Sequence, residues 1–279
     1  MDLQTRNQYM KAMGIPVWMP RVSPADEEQT DDTADVAQTM PPAERQTSPA
    51  QHVSIEQRLA QTVDLPTAPK PAPVPVEQKA TETDVPAKIA PDCSDFNWGQ
   101  LQQTVTGCQL CGLHKSRTQT VFGTGDTHSD WMIIGEAPGA EEDRTGQPFV
   151  GRAGQLLNNM LKAIGLPRNA VYISNVLKCR PPNNRDPKAD EAMLCRGYLE
   201  RQIALVKPSV IIVVGRIAAH NLLHTTTPLG RLRGTVHKLP DSGTPVIVTY
   251  HPAYLLRQPA EKRKAWQDLQ LARQVMSAK

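Results

Sequence analysis

Four short apolar runs rich in β-branched residues recur through the second half of the chain: 131–135 (WMIIG), 171–176 (VYISNV), 210–215 (VIIVVG) and 246–250 (VIVTY). Between and after them lie stretches with the helical period, Ala153 to Ile164, Lys188 to Val206, Arg216 to Leu223 and Glu261 to Met276. Strands that alternate with helices build a parallel sheet covered on both faces, because each helix buries its apolar stripe against the strands it connects. The pattern predicts an α/β fold around four strands, with ligands bound beyond the strands' carboxyl ends.

The unusual sequences fall at those ends. GEAPGAEED (135–143) follows the first run and NVLKCRPPNNRD (175–186) overlaps the second; Gly215 and Arg216 follow the third, and HPAYLLR (251–257) follows the fourth. Four polar or glycine-rich loops therefore converge on one edge of the predicted sheet.

The first 93 residues cannot share in such a core. They hold 13 of the 25 prolines, one of the 17 glycines, and few large apolar groups beyond position 20. That composition cannot offset its ordering entropy, so 22–93 is expected to be a disordered, proline-rich acidic linker and 94–279 the folded domain. Within residues 1–21, Tyr9, Met10, Met13, Ile15, Val17 and Trp18 form an apolar island suited to docking on a partner or on the chain's own domain.

Charge divides at the same place: 8 Lys+Arg against 14 Asp+Glu up to residue 93, and 23 against 14 beyond it. A tail near −6 and a domain near +9 point to a polyanionic partner such as nucleic acid. No apolar run approaches the roughly 18 residues of a membrane span, and the N-terminus lacks a basic start and apolar centre, so the expectation is a cytoplasmic monomer. Its cysteines then sit in a reducing compartment, where clustered thiols serve metals or catalysis more often than disulfides.

Cys108 and Cys111 form C-x2-C, and Cys179 and Cys195 form C-x15-C. Four thiolates from two places can enclose a zinc ion or a four-iron cluster, or they can be core thiols; spacing leaves the three open. Cys93 is placed in the linker as a bystander.

GEAPGAEED has no GKS/T and no G-x-G-x-x-G, and Glu136 stands where a phosphate would be repelled, which argues against nucleotide phosphates. Glu141, Glu142 and Asp143 read as stabilisers of a helix N-terminus. Glu136, at the strand end, is the acid assigned to chemistry. Phe149, in QPFVGRAG, suits either a core or a platform for a stacked base. Asn175 carries a donor and an acceptor and can read an amide-like edge, and His251 can donate to a developing oxyanion. Tyr254, Leu255, Leu256 and Arg257 suit either insertion into a base stack beside a phosphate grip or the apolar start of a helix.

Taken together, C-x2-C, GEAPG-x2-ED, PFVGRAG, SNVLKCRPPNNRDP, a further cysteine and HPAYLLR closely resemble the family 4, iron-sulfur uracil-DNA glycosylases, over about residues 97–276. The resemblance implies a three-layer α/β/α sandwich and a 4Fe-4S cluster, in preference to zinc, held by Cys108, Cys111, Cys179 and Cys195. It implies an enzyme that flips uracil from DNA and hydrolyses its N-glycosidic bond for base excision repair. In that reading Phe149 stacks on uracil, Asn175 reads its polar edge, Gly135 and Ala137 line the pocket, Glu136 positions or activates water, and His251 stabilises charge on uracil O2. Leu255 or its neighbours would fill the space the nucleotide leaves.

Ala137 and Gly139 stand where family 1 enzymes carry a water-activating Asp and a thymine-excluding Tyr. A related group forms a covalent adduct through a histidine in a KRRIH-like insertion; RPPNNRDPKADEAMLC has no histidine, so ordinary turnover is expected. Separately, MGIPVWMPR is similar to the start of the psi subunit of the bacterial clamp loader, which implies the chi subunit as a partner of residues 6–21. The alternative is a catalytically weak iron-sulfur DNA-binding scaffold recruited to the replication machinery.

Overall fold

The computed structural model of the chain describes residues 90–278 together with Met10. The docking motif assigned to 1–21 and the linker up to residue 89 otherwise lie outside the described residues.

Each of the four apolar runs is a strand: β2 (Trp131–Gly135), β3 (Tyr172–Asn175), β4 (Val210–Val214) and β6 (Pro245–Thr249). They pair in parallel in the order β3-β2-β4-β6. The sheet has six strands among the described residues, which corrects the expected four. Two short antiparallel strands close its edges, β1 (Thr124–Gly125) on β3 and β5 (Val236–Lys238) on β6. Two or three residues bury too little to leave an apolar run in the sequence.

Side chains alternate between the faces of the sheet, and two separate cores result. On one face Met132, Ile134, Ile211, Val213 and Val248 pack with helices α1 (Trp98–Gly107), α4 (Ala189–Val206) and α5 (Arg216–Leu223). On the other, Ile133, Ile173, Ile212, Val214 and Ile247 pack with α3 (Arg152–Ala163), α7 (Pro252–Arg257) and α8 (Lys262–Ser277). The result is the three-layer sandwich. Two shorter helices, α2 (Ala140–Thr145) and α6 (Leu229–Leu232), lie in the connections.

Local sequence explains where the helices begin and end. α3 sets Leu156, Leu157, Met160 and Leu161 on one buried face, and Gly165, at φ +81, takes the left-handed turn after it. α1 begins in a capping box in which Asn97 and Gln100 bond each other's backbone N–H. Cys93, assigned to the linker, is instead 3% exposed and part of the first core. Gly197 of α4 allows this: a Cβ there would press on the Pro91 carbonyl.

The chain leaves β2 for β3 on one side and then crosses back to β4 on the other. That reversal falls between β2 and β4, and it is beyond the carboxyl ends of strands at such a point that α/β sheets bind ligands.

Candidate active site

In the sheet register Gly135 of β2 lies beside Asn175 of β3. A Cβ on Gly135 would run into the Asn175 side-chain oxygen and the Phe149 ring. Glycine at this strand end thus lets an amide and an aromatic ring meet over the β2 backbone. Asn175 is 2% exposed, yet its Oδ1 has no hydrogen-bond partner within the protein. Buried polar atoms are seldom left unmade, and this one is free to accept a ligand's donor.

Phe149 is 6% exposed and held at φ +53, a left-handed conformation that costs a non-glycine residue on the order of 1 kcal/mol. Three contacts hold it there. Glu142 Oε1 accepts the backbone N–H groups of Val150 and Gly151 at 2.9 and 3.0 Å, while its Oε2 accepts that of Gly139 at 3.1 Å. Arg168 donates to the Pro148 carbonyl at 2.6 Å and to Asn158 at 2.9 Å. Gly154 of α3 has no Cβ to collide with the Phe149 carbonyl. The three acids therefore do different jobs: Glu142 ties the 139 and 150 loops together, Asp143 accepts the Thr118 N–H, and only Glu141 is an exposed surface acid, paired with Arg144.

His251 caps α7 and lies beside the same pocket, its ring centroid 5.7 Å from that of Phe149 at 33°. Gly215, at φ +99 after β4, makes room for it, since a Cβ there would touch the His251 side chain. His251 Nδ1 accepts the Ala253 N–H at 3.1 Å, so the neutral ring carries its proton on Nε2. Burial, helped by the charge of Arg257, lowers the His251 pKa to about 4. The ring is therefore a neutral donor at physiological pH.

Glu136 follows Gly135, with its carbonyl accepting the Leu177 N–H at 3.0 Å. Burial raises its carboxyl pKa to about 7, and the negative charge of Asp186 adds to the rise while Arg216 opposes it. Asp186 and Arg216 are themselves paired at 3.1 Å on the rim. Ala137 packs against the first core.

In the HPAYLLR loop the structure separates neighbours that the sequence treats alike. Leu255 is 1% exposed within the second core, which corrects its assignment as a wedge: α7 turns it inward. Leu256 is 37% exposed and Arg257 is exposed beside it. Tyr254 is half-buried, its ring 5.0 Å from that of Tyr250.

Cys108, Cys111, Cys179 and Cys195 line one small cavity with Val105, Leu113 and Tyr198. Arg117 donates to Cys179 Sγ at 3.0 Å and the Lys178 backbone N–H to Cys195 Sγ at 3.4 Å. Among the described residues no three Cys, His, Asp or Glu side chains gather closely enough for a single metal ion. Burial pushes the Cys195 thiol up to about 12. Four sulfurs around a cavity, two of them already receiving N–H donors, fit a multi-atom cluster bound at its corners.

At the strand ends of this sheet an aromatic ring, an amide oxygen without a protein partner and a histidine stand together, with a half-buried acid next to Gly135. The family model of the uracil DNA glycosylase superfamily matches residues 122–270, and the chain belongs to that superfamily. A type-4 uracil-DNA glycosylase of Archaeoglobus fulgidus is 44% identical over 165 residues, covering 57% of this chain and 83% of that protein. One from Pyrobaculum aerophilum is 43% identical over 176 residues, 61% of this chain and 90% of its own. One from Thermotoga maritima is 40% identical over 177 residues, 62% and 91%.

Glu142, Arg168, Lys178, Asp186, Gly154 and Gly215 were not singled out as site residues by sequence reasoning. The positive φ at Gly215 and the close approaches at Gly215 and Gly154 leave no local signal beyond the glycine itself. Which of three adjacent acids turns inward depends on a loop distant in sequence.

Proposed function

We infer that this chain is a monofunctional uracil-DNA glycosylase that takes uracil out of DNA and hydrolyses its N-glycosidic bond, leaving an abasic site. The observation that carries the site reading is the buried, unpartnered Asn175 Oδ1 beside the Phe149 ring and His251. Phe149 stacks on the flipped base. The Asn175 side chain, which offers an acceptor and a donor, pairs with N3–H and O4.

As the glycosidic bond breaks, its electron pair leaves with uracil and negative charge grows on O2. His251 donates Nε2–H to that oxygen, a neutral donor fixed in place before the reaction. Glu136 lies on the sugar side, where its carboxylate accepts a proton from the water that attacks C1′ and offsets the positive charge of the sugar. The products are free uracil and an abasic site. Incubation of the full chain with a uracil-containing oligonucleotide followed by alkali tests this: strand scission above a His251→Ala control is expected, and its absence would leave only a DNA-binding scaffold.

Cys108, Cys111, Cys179 and Cys195 would hold a 4Fe-4S cluster, which supplies a rigid crosslink between the α1 end, the 179 loop and α4. Support comes from their shared cavity and the N–H donors on Cys179 and Cys195. On the DNA side, Leu256 fills the vacated stack and Arg257 grips phosphate, supported by their exposure on the rim. The enzyme works as a monomer on DNA in the cytoplasm, and among the described residues no helix is long and apolar enough to cross a membrane. Residues 6–21 dock on the chi subunit of the clamp loader, supported by the MGIPVWMPR resemblance alone; a pull-down in which Trp18→Ala leaves chi capture unchanged would sink this.

A further inference from the structure

Lys178 is 1% exposed, lines the cysteine cavity and bonds the Asn175 carbonyl. Its ammonium spends each of its three N–H groups on an oxygen: Ser174 Oγ at 2.7 Å, the Asn175 carbonyl at 2.8 Å and Gln202 Oε1 at 2.6 Å. Gln202 is fixed in turn by donating to the Phe122 carbonyl at 2.9 Å and the Tyr172 hydroxyl at 3.1 Å. The Lys178 main chain is held as well, its N–H on Cys195 Sγ and its carbonyl receiving the Val121 N–H at 2.8 Å.

A buried ammonium that receives no carboxylate costs several kcal/mol unless all its protons are taken. A methionine of similar length would fill the same space at lower cost, so packing does not account for a lysine here. What the ammonium adds is a grip on the carbonyl of Asn175, whose side-chain Oδ1 has no protein partner of its own to hold it. A fully satisfied buried network of this kind fixes its members more firmly than any one of its bonds.

We propose that Lys178 is a positioning residue for uracil recognition: it fixes the Asn175 main chain from behind the sheet and ties that strand end to the Cys195 side of the cysteine site. The proposal rests on the reading of Asn175 as the group that recognises uracil. It makes the cysteine site and the base pocket mechanically continuous through one side chain.

The test uses the full chain, loaded and brown, and reads equilibrium binding rather than turnover. Two fluorescent duplexes are compared by anisotropy, one with a slowly hydrolysed 2′-fluoro-deoxyuridine opposite G and one with a tetrahydrofuran abasic analogue. Asn175→Ala is the control; if it leaves the wild-type preference for the fluoro-uridine duplex intact, the Asn175 reading fails and the proposal with it. With that control met, Lys178→Met is expected to weaken fluoro-uridine binding about tenfold, with abasic binding and the visible absorption retained. An unchanged preference, or equal weakening on both duplexes, overturns the proposal. Should Lys178→Met not fold, Ser174→Ala decides: it removes one acceptor of the ammonium, and a smaller loss confined to the fluoro-uridine duplex supports the role, whereas no loss overturns it.

Discussion

His251 Nδ1 accepts the backbone N–H of Ala253 two residues on, at 3.1 Å. That one bond commits the ring's proton to Nε2. His251→Ala should lower the single-turnover rate of uracil release by about 10²- to 10³-fold, the usual scale for a lost oxyanion donor. Binding of an abasic-analogue duplex should change little. Because the ring pKa is lowered to about 4, the wild-type rate should show no inflection from this histidine between pH 5 and 8.

On the reading of Glu136 as the base, the pH dependence should come from this carboxyl instead. Its carboxyl, raised to about 7 mainly by burial, is protonated below that pH and cannot take a proton from water. The rate of excision should therefore fall as pH drops through about 7, approaching tenfold per unit, and Glu136→Gln should be slow and flat over the same range. Asp186→Asn removes a negative charge that raises this pKa, so the midpoint should move to lower pH. A wild-type profile without an inflection near neutrality would remove Glu136 from the role of base.

Glu142 accepts three backbone N–H groups from two loops. Glu142→Ala leaves all three without that acceptor and should destabilise the protein by about 2 kcal/mol, read as a fall in Tm. It should also slow excision, because the Phe149 loop loses its tie. Glu141→Ala, which removes a surface pair with Arg144, should do neither.

Leu255 and Leu256 are adjacent and should behave oppositely. Leu255→Ala should cost about 2–4 kcal/mol of stability as a core truncation. Leu256→Ala should leave Tm alone and reduce excision from duplex more than from single strands, since only a duplex leaves a gap to fill. Equal losses on both substrates would argue against a wedge.

The sequence made the sheet legible where burial is symmetrical. VIIVVG and WMIIG are buried on both faces, so their strands read as unbroken apolar runs, whereas Thr124–Gly125 and Val236–Lys238 are edge strands with little to bury. α1 was legible in principle, through Asn97 and Gln100 at capping-box spacing, yet its mixed composition hid it. In the site, Phe149, Asn175, Glu136 and His251 stand at strand ends or in motif loops; the fold sets Phe149 beside His251 and, with Asn175, over Gly135, while Glu136 follows Gly135 in the chain. Lys178 and Glu142 were not legible, because a charged side chain counts as surface until a distant acceptor or amide turns it inward. Leu255 failed for the reverse reason: helix phase, set by where α7 begins, decides which of two leucines sees water.

The Glu142 tie has a consequence for how damage is found. One carboxylate bolts the 139 and 150 loops together, and they cannot part without breaking three hydrogen bonds. On the reading of this site as a uracil pocket, the distortion needed for entry then falls on the nucleic acid. Pairs that open readily, such as U·G, present their uracil more often than well-matched U·A pairs, so the search is governed by the looseness of the lesion.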